Sequence, residues 1–140
     1  MLYDCTIVII QSYKEGCLIG WTLNADRPIY AQIIDKLSSD IASGIYAPGD
    51  KLPSVRDFAI EAAVNPNTMQ KALTELERLG LVYSKRTSGR YITEDTQLIK
   101  NYRENLAIEE IASFLSRMEQ LGFDQAQTLA AMKDYKPKEA

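Results

Sequence analysis

Two apolar-striped stretches of this 140-residue chain meet at Val64-Asn65-Pro66-Asn67-Thr68, and that break limits the folds open to it. Proline there cannot continue the preceding helix, but it fits the first turn of the next one, which Asn65 is suited to cap. Upstream, Ser54-Val55-Arg56-Asp57 starts a short helix with a serine cap and an acid three residues on. Val55, Phe58, Ala59 and Ala62 form its buried side, and it ends near Ala63. Downstream, Met69, Ala72, Leu73, Leu76 and Leu79 make a second stripe that Gly80 ends. A short helix, a tight turn and a second helix follow one another without a linker.

The flanks complete the pattern. Ile29, Ile33, Leu37 and Ile41 recur every four residues, with Pro28 in the first turn and Gly44 at the end, which predicts a third helix before the pair. Ala47-Pro48-Gly49-Asp50 is a turn. After Gly80, Leu81-Val82-Tyr83 and Tyr91-Ile92-Thr93 read as strands around a basic loop over Lys85–Arg90. Tyr30, Phe58 and Tyr83 read as core aromatics. Helix, helix, turn, helix and hairpin within residues 27–93 is the layout of a winged helix-turn-helix, a mainly α fold with a small β part (α+β).

From residue 96 the chain is helical again. Leu98, Tyr102, Leu106, Ile108, Ile111, Ala112, Leu115, Met118 and Leu121 read as one long stripe, and Asp124 caps a last short helix. A winged-helix module is too small to cover so long an apolar side, which predicts a helical hairpin that pairs with a second copy. The expected organisation is an extension over 1–22, a winged helix-turn-helix domain over 23–95, a helical dimerisation region over 96–135 and a tail over 136–140. The extension is either a hairpin of Cys5–Ile10 with Cys17–Leu23 or translated upstream sequence, and the residues leave both open.

Composition narrows the chemistry. The chain has no histidine, which removes most zinc sites and the commonest general base. Cys5 and Cys17 stand in no metal or catalytic motif, so neither catalysis, metal nor cofactor is expected, and a reducing cytoplasm is the expected location. No apolar run approaches the roughly 18 residues of a membrane span. Net charge is −3, but residues 51–91 hold seven cations (Lys51, Arg56, Lys71, Arg78, Lys85, Arg86 and Arg90) against four acids (Asp57, Glu61, Glu75 and Glu77). Phosphate binding requires local positive charge, and this window has it.

On a helical wheel with Asn67 at zero, the core positions of the helix after Pro66 lie about 140–240° away. Asn67, Lys71 and Thr74 then point outward, flanked by Thr68 and Gln70, while Glu75 and Glu77 wait until the third turn. Such a helix offers hydrogen-bonding side chains to base edges from its N-terminal half, as recognition helices do.

Longer strings carry a resemblance. Arg27-Pro28-Ile29-Tyr30-Ala31-Gln32-Ile33, Gly44-Ile45-Tyr46-Ala47-Pro48-Gly49-Asp50-Lys51-Leu52-Pro53-Ser54-Val55-Arg56, Val64 to Leu73, and Leu76-Glu77-Arg78-Leu79-Gly80 resemble the GntR family of bacterial transcription regulators. The short helical C-terminal part is similar to the YtrA subfamily, whose members dimerise through such helices without a large effector domain. The resemblance implies double-stranded DNA as partner, with contacts from Ser54, Arg56, Asn65, Asn67, Thr68, Gln70 and Lys71, and from the wing at Arg86, Ser88 and Gly89. It implies a homodimeric repressor on a palindromic operator, with any small-molecule effector unidentified. One departure concerns the wing, where Arg86-Thr87-Ser88-Gly89 puts threonine in place of the family's first glycine, a change expected to hinder close approach of the wing backbone to the minor groove. The rival reading is a winged-helix module for protein–protein association, which would depend neither on Arg56 and Lys71 nor steeply on salt.

Overall fold

Helix α1 runs over Ile29–Ala42 and turns Ile33, Leu37 and Ile41 inward. The computed structural model describes residues 21–138, so both cysteines and nearly all of the hairpin expected before Leu23 lie outside the described residues. Pro28 sits one position earlier than expected: it is the N-cap, and its carbonyl accepts from the Ala31 and Gln32 amides. Ser43 closes the helix, followed by Gly44 at φ +84°, the left-handed exit that glycine adopts without strain. In the next turn the Asp50 carboxylate accepts from the Ala47 amide at 2.8 Å while the Asp50 amide donates to the Ala47 carbonyl at 3.1 Å.

Helix α2 (Val55–Ala62) and helix α3 (Pro66–Arg78) form the predicted pair. Ser54 caps α2 through the Asp57 amide, and Asn65 caps α3 through the Asn67 amide, with Pro66 in the first turn. Between them Ala63 is left-handed at φ +53°, the one non-glycine residue at positive φ among the described residues. Phe58, Met69, Ala72, Leu73 and Leu76 are fully buried and close one core with Ile33, Leu37, Ile41, Leu52, Leu81 and Ile92. Each large side chain there contributes on the order of 1.5–3 kcal/mol, enough to set the crossing of α1 and α3.

Strands β1 (Val82–Lys85) and β2 (Gly89–Ile92) pair antiparallel from Val82↔Ile92 to Lys85↔Gly89. The wing turn is therefore residues 86–88, shorter than the expected loop, because Lys85, Gly89 and Arg90 extend the ladder. A bridge between Lys51 and Tyr91 adds the strip before α2 to the other edge of β2. Tyr83 is not a core residue. Strand alternation puts it on the face opposite buried Val82, where it stacks on Tyr91 at 5.8 Å between ring centroids.

Helix α4 (Thr96–Gln120) and helix α5 (Gln125–Asp134) complete the chain. Leu98, Ile99 and Tyr102 seat the start of α4 on the core. Leu106, half-buried, stays on that side, but Ile108, Ile111, Leu115 and Met118 do not: on the wheel they lie roughly 125–175° from the mean direction of Leu98, Ile99 and Tyr102. Helix α5 folds back on part of this second face, and Phe114, Met118, Thr128, Ala131 and Met132 line an apolar cleft between the two helices. Asp124 and Gln127 form a reciprocal capping box at the start of α5. Ile108 and Ile111 stay 63% and 57% exposed. No helix among the described residues is long and apolar enough to cross a membrane.

Candidate nucleic-acid interface

The first two turns of α3 present the expected outward face. Asn67, Gln70, Lys71 and Thr74 are exposed, Thr68 is half-buried, and Met69, Ala72 and Leu73 lie beneath them. Gln70 is braced along the helix: its amide nitrogen donates to Thr74 Oγ1 at 3.3 Å, and that hydroxyl donates to the Gln70 carbonyl at 2.9 Å. Lys71 departs from the expectation. Its ammonium lies 3.8 Å from the ring centroid of Tyr30 on α1, a cation–π contact that draws it toward the first helix.

Ser54 and Asn65 each have an oxygen engaged in a helix cap, at 3.1 Å from the Asp57 amide and 2.8 Å from the Asn67 amide. The Ser54 O–H and the Asn65 side-chain N–H groups remain available to donate outward. Arg56 is exposed and pairs with no acid among the described residues.

The wing comes close to the start of α2. Lys51, Ser54, Val55 and Asp57 line a cleft whose other wall is Ser88, Gly89 and Arg90. Ser88 accepts a hydrogen bond from the Tyr91 hydroxyl at 2.9 Å, which steadies the tip. Gly89, at φ +106°, is the wing's only left-handed residue, so Thr87 replaces the first glycine of the family pattern without backbone strain. What it adds is a side chain at the tip. Lys51 and Lys85 are cations of this surface that were counted in the basic window but assigned no role. Lys85 lies 4.4 Å from the Tyr91 ring centroid.

Charge is sorted along the same surface. Arg78 pairs with Glu75, and Arg90 with Glu77, so both acids of α3 are neutralised within the fold. The Arg78 hydrogen bonds hold the Glu75 carboxyl below its ordinary range. Burial pushes the Glu77 carboxyl up, but hydrogen bonds from Ser84 and Arg90 outweigh it and hold this group low as well. Among the described residues Lys51, Arg56 and Arg86 have no acid partner, while Lys71 and Lys85 lie against tyrosine rings, so the cationic charge still open lies at the start of α2 and on the wing tip. A polar helix end flanked by open cations suits a phosphate-lined groove. Among the described residues no group of metal-ligating side chains is present.

The family model described as "Bacterial regulatory proteins, gntR family" matches residues 29–92. The chain is 37% identical over 111 residues to the uncharacterized HTH-type transcriptional regulator YhcF of Bacillus subtilis, covering 79% of this chain and 92% of that protein. It is 49% identical over 73 residues to the HTH-type transcriptional repressor YtrA of the same organism, covering 52% and 56%. A GntR family transcriptional regulator from Listeria monocytogenes superposes with TM-score 0.75 at 36% identity, over 81% of this chain and 100% of that one. The AraR DNA-binding domain in complex with an operator matches with TM-score 0.51 at 26% identity, over 54% and 98%.

Proposed function

The chain belongs to the GntR family of bacterial regulatory proteins, on its YtrA-like side, and is a DNA-binding transcriptional regulator and not an enzyme; from that premise we propose a homodimeric repressor of a palindromic operator. The observation that carries this reading is the polar outward face of α3 beside open cations on α2 and the wing. Arg56 and the Ser54 hydroxyl position phosphates at the start of α2. Asn67, Thr68 and Gln70 face base edges, and Asn65 donates from the turn. Lys71 reaches DNA by leaving Tyr30, and Arg86, Ser88 and Gly89 form the wing contact. The likeness to an operator-bound AraR domain supports the mode of docking, and the repressor name of YtrA supports the sign of regulation.

In this reading residues 23–95 read DNA and residues 96–135 dimerise. The exposed apolar face at Ile108 and Ile111 supports the second role, since two copies related by a dyad would cover it. An effector, if one is used, binds at the junction of the winged helix and the C-terminal helices and shifts the spacing of the two heads. A reporter promoter carrying a site selected by the protein tests the sign: expression falls when the protein is present. Increased expression overturns repression. Binding that ignores both salt and Arg56 favours the protein-association module instead.

A further inference from the structure

One carboxylate joins the wing to the recognition helix. Glu77, the penultimate residue of α3, accepts hydrogen bonds from Ser84 Oγ on β1 and from Arg90 Nε on β2, the latter at 2.7 Å. Ser84 and Arg90 are cross-strand partners, so Glu77 grips both strands at a single rung. The side chains of Arg90 and Glu77 are only 18% and 29% exposed, which shields the pair from salt. Backbone bonds from the Leu52 and Ile92 amides tie β2 to residues 50–52, but among the described residues none runs from either strand to α3. The Leu81 amide, just before β1, donates to the Leu76 carbonyl at 3.1 Å at the base of the hairpin, and side chains at this rung supply the polar link between α3 and the strands themselves.

An acid beside a DNA-binding surface repels phosphate, so by charge alone its removal should strengthen binding. Geometry argues the opposite sign. We propose that Glu77 is a positioning residue: through Ser84 and Arg90 it sets the angle between α3 and the wing, so that both engage their grooves at once. This rests on the reading of α3 and residues 86–89 as the two DNA-contacting parts. Glu77 itself touches no base or phosphate in this arrangement. Its effect on affinity passes through the wing.

The test uses the full-length protein and a duplex recovered by selection, with variants Glu77→Ala, Arg90→Ala and the double variant. Glu77→Ala should weaken specific binding about tenfold, the scale of a lost hydrogen bond to a charged group, although it removes a negative charge. Hydroxyl-radical protection in the minor groove under the wing should be lost, while methylation protection of purine N7 under α3 persists. The double variant should bind no worse than the weaker single variant. Glu77→Ala binding at or above the wild-type affinity overturns the proposal, as does loss of both protections together. If Glu77→Ala does not fold by its thermal transition, Ser84→Ala takes its place, with a smaller loss of the same minor-groove protection expected and unchanged protection overturning the proposal. Wild-type protein that protects neither groove refutes the underlying reading, whereas wild-type protection of both grooves with unchanged variants refutes this inference alone.

Discussion

Arg56 and Gln70 separate two kinds of contact that a polar surface would not distinguish. On the proposed reading the exposed arginine at the start of α2 positions phosphate, so Arg56→Ala should weaken specific and non-specific DNA alike and lower the salt slope by about one. Gln70→Ala would remove the proposed base contact and should cost roughly 1–3 kcal/mol on the preferred site and little elsewhere. Binding measured across a salt series checks both. The turn between α2 and α3 offers a stability test apart from DNA. Ala63 holds φ +53°, a conformation costing roughly 1 kcal/mol in a residue with a Cβ. Ala63→Gly should raise the unfolding free energy by at most about 1 kcal/mol, less the added freedom of glycine in the unfolded chain, an effect read from the urea midpoint at unchanged slope. The caps at Ser54 and Asn65 were legible because they are set by a residue and its near neighbours. The seat of Lys71 on Tyr30 was not, because a wheel drawn for one helix does not show what the next helix places beside it.

The predicted helices of residues 27–80 and the hairpin were legible for the same reason: stripes, caps and glycines are local signals read within a few residues. Helix α4 was read less well. Its apolar residues counted as one stripe, but they divide between a face that meets the core and a face that α5 meets only in part. The bonds of Glu77 were also hidden, since Arg90 lies 13 residues away and acquires its partner only when the hairpin folds back. Two elements titrate in opposite directions. Glu77 is held below its ordinary 4.5, so its contribution is fully present above that pH and is lost as pH falls through its lowered value. Burial, then the charges of Asp40 and Glu61, push the Tyr46 phenol above its ordinary 10.0, so its contribution is present below pH 10.0 and is lost as pH rises further. Urea midpoints against pH should show Glu77→Gln converging on wild type in acid, and Tyr46→Phe resisting the alkaline loss. Parallel profiles would contradict both assignments.

As a whole molecule, the chain joins a winged helix-turn-helix, the proposed reading head, to a helical part that leaves an apolar face uncovered at Ile108 and Ile111. Ile108→Asp with Ile111→Asp puts two charges on that face, and sedimentation should shift from twice the chain mass to one. Operator affinity should then fall by about 10²-fold or more, because the second head no longer binds within the same complex. An unchanged dimer would place the interface elsewhere. Selection of bound duplexes from a random pool examines the whole arrangement at once. Two recognition helices related by a dyad should enrich an inverted repeat, with half-site centres about 10–10.5 base pairs, or a multiple of that, apart on one face of the duplex. A pool that stays unenriched, or yields one asymmetric site, would contradict sequence-specific reading by a symmetric dimer.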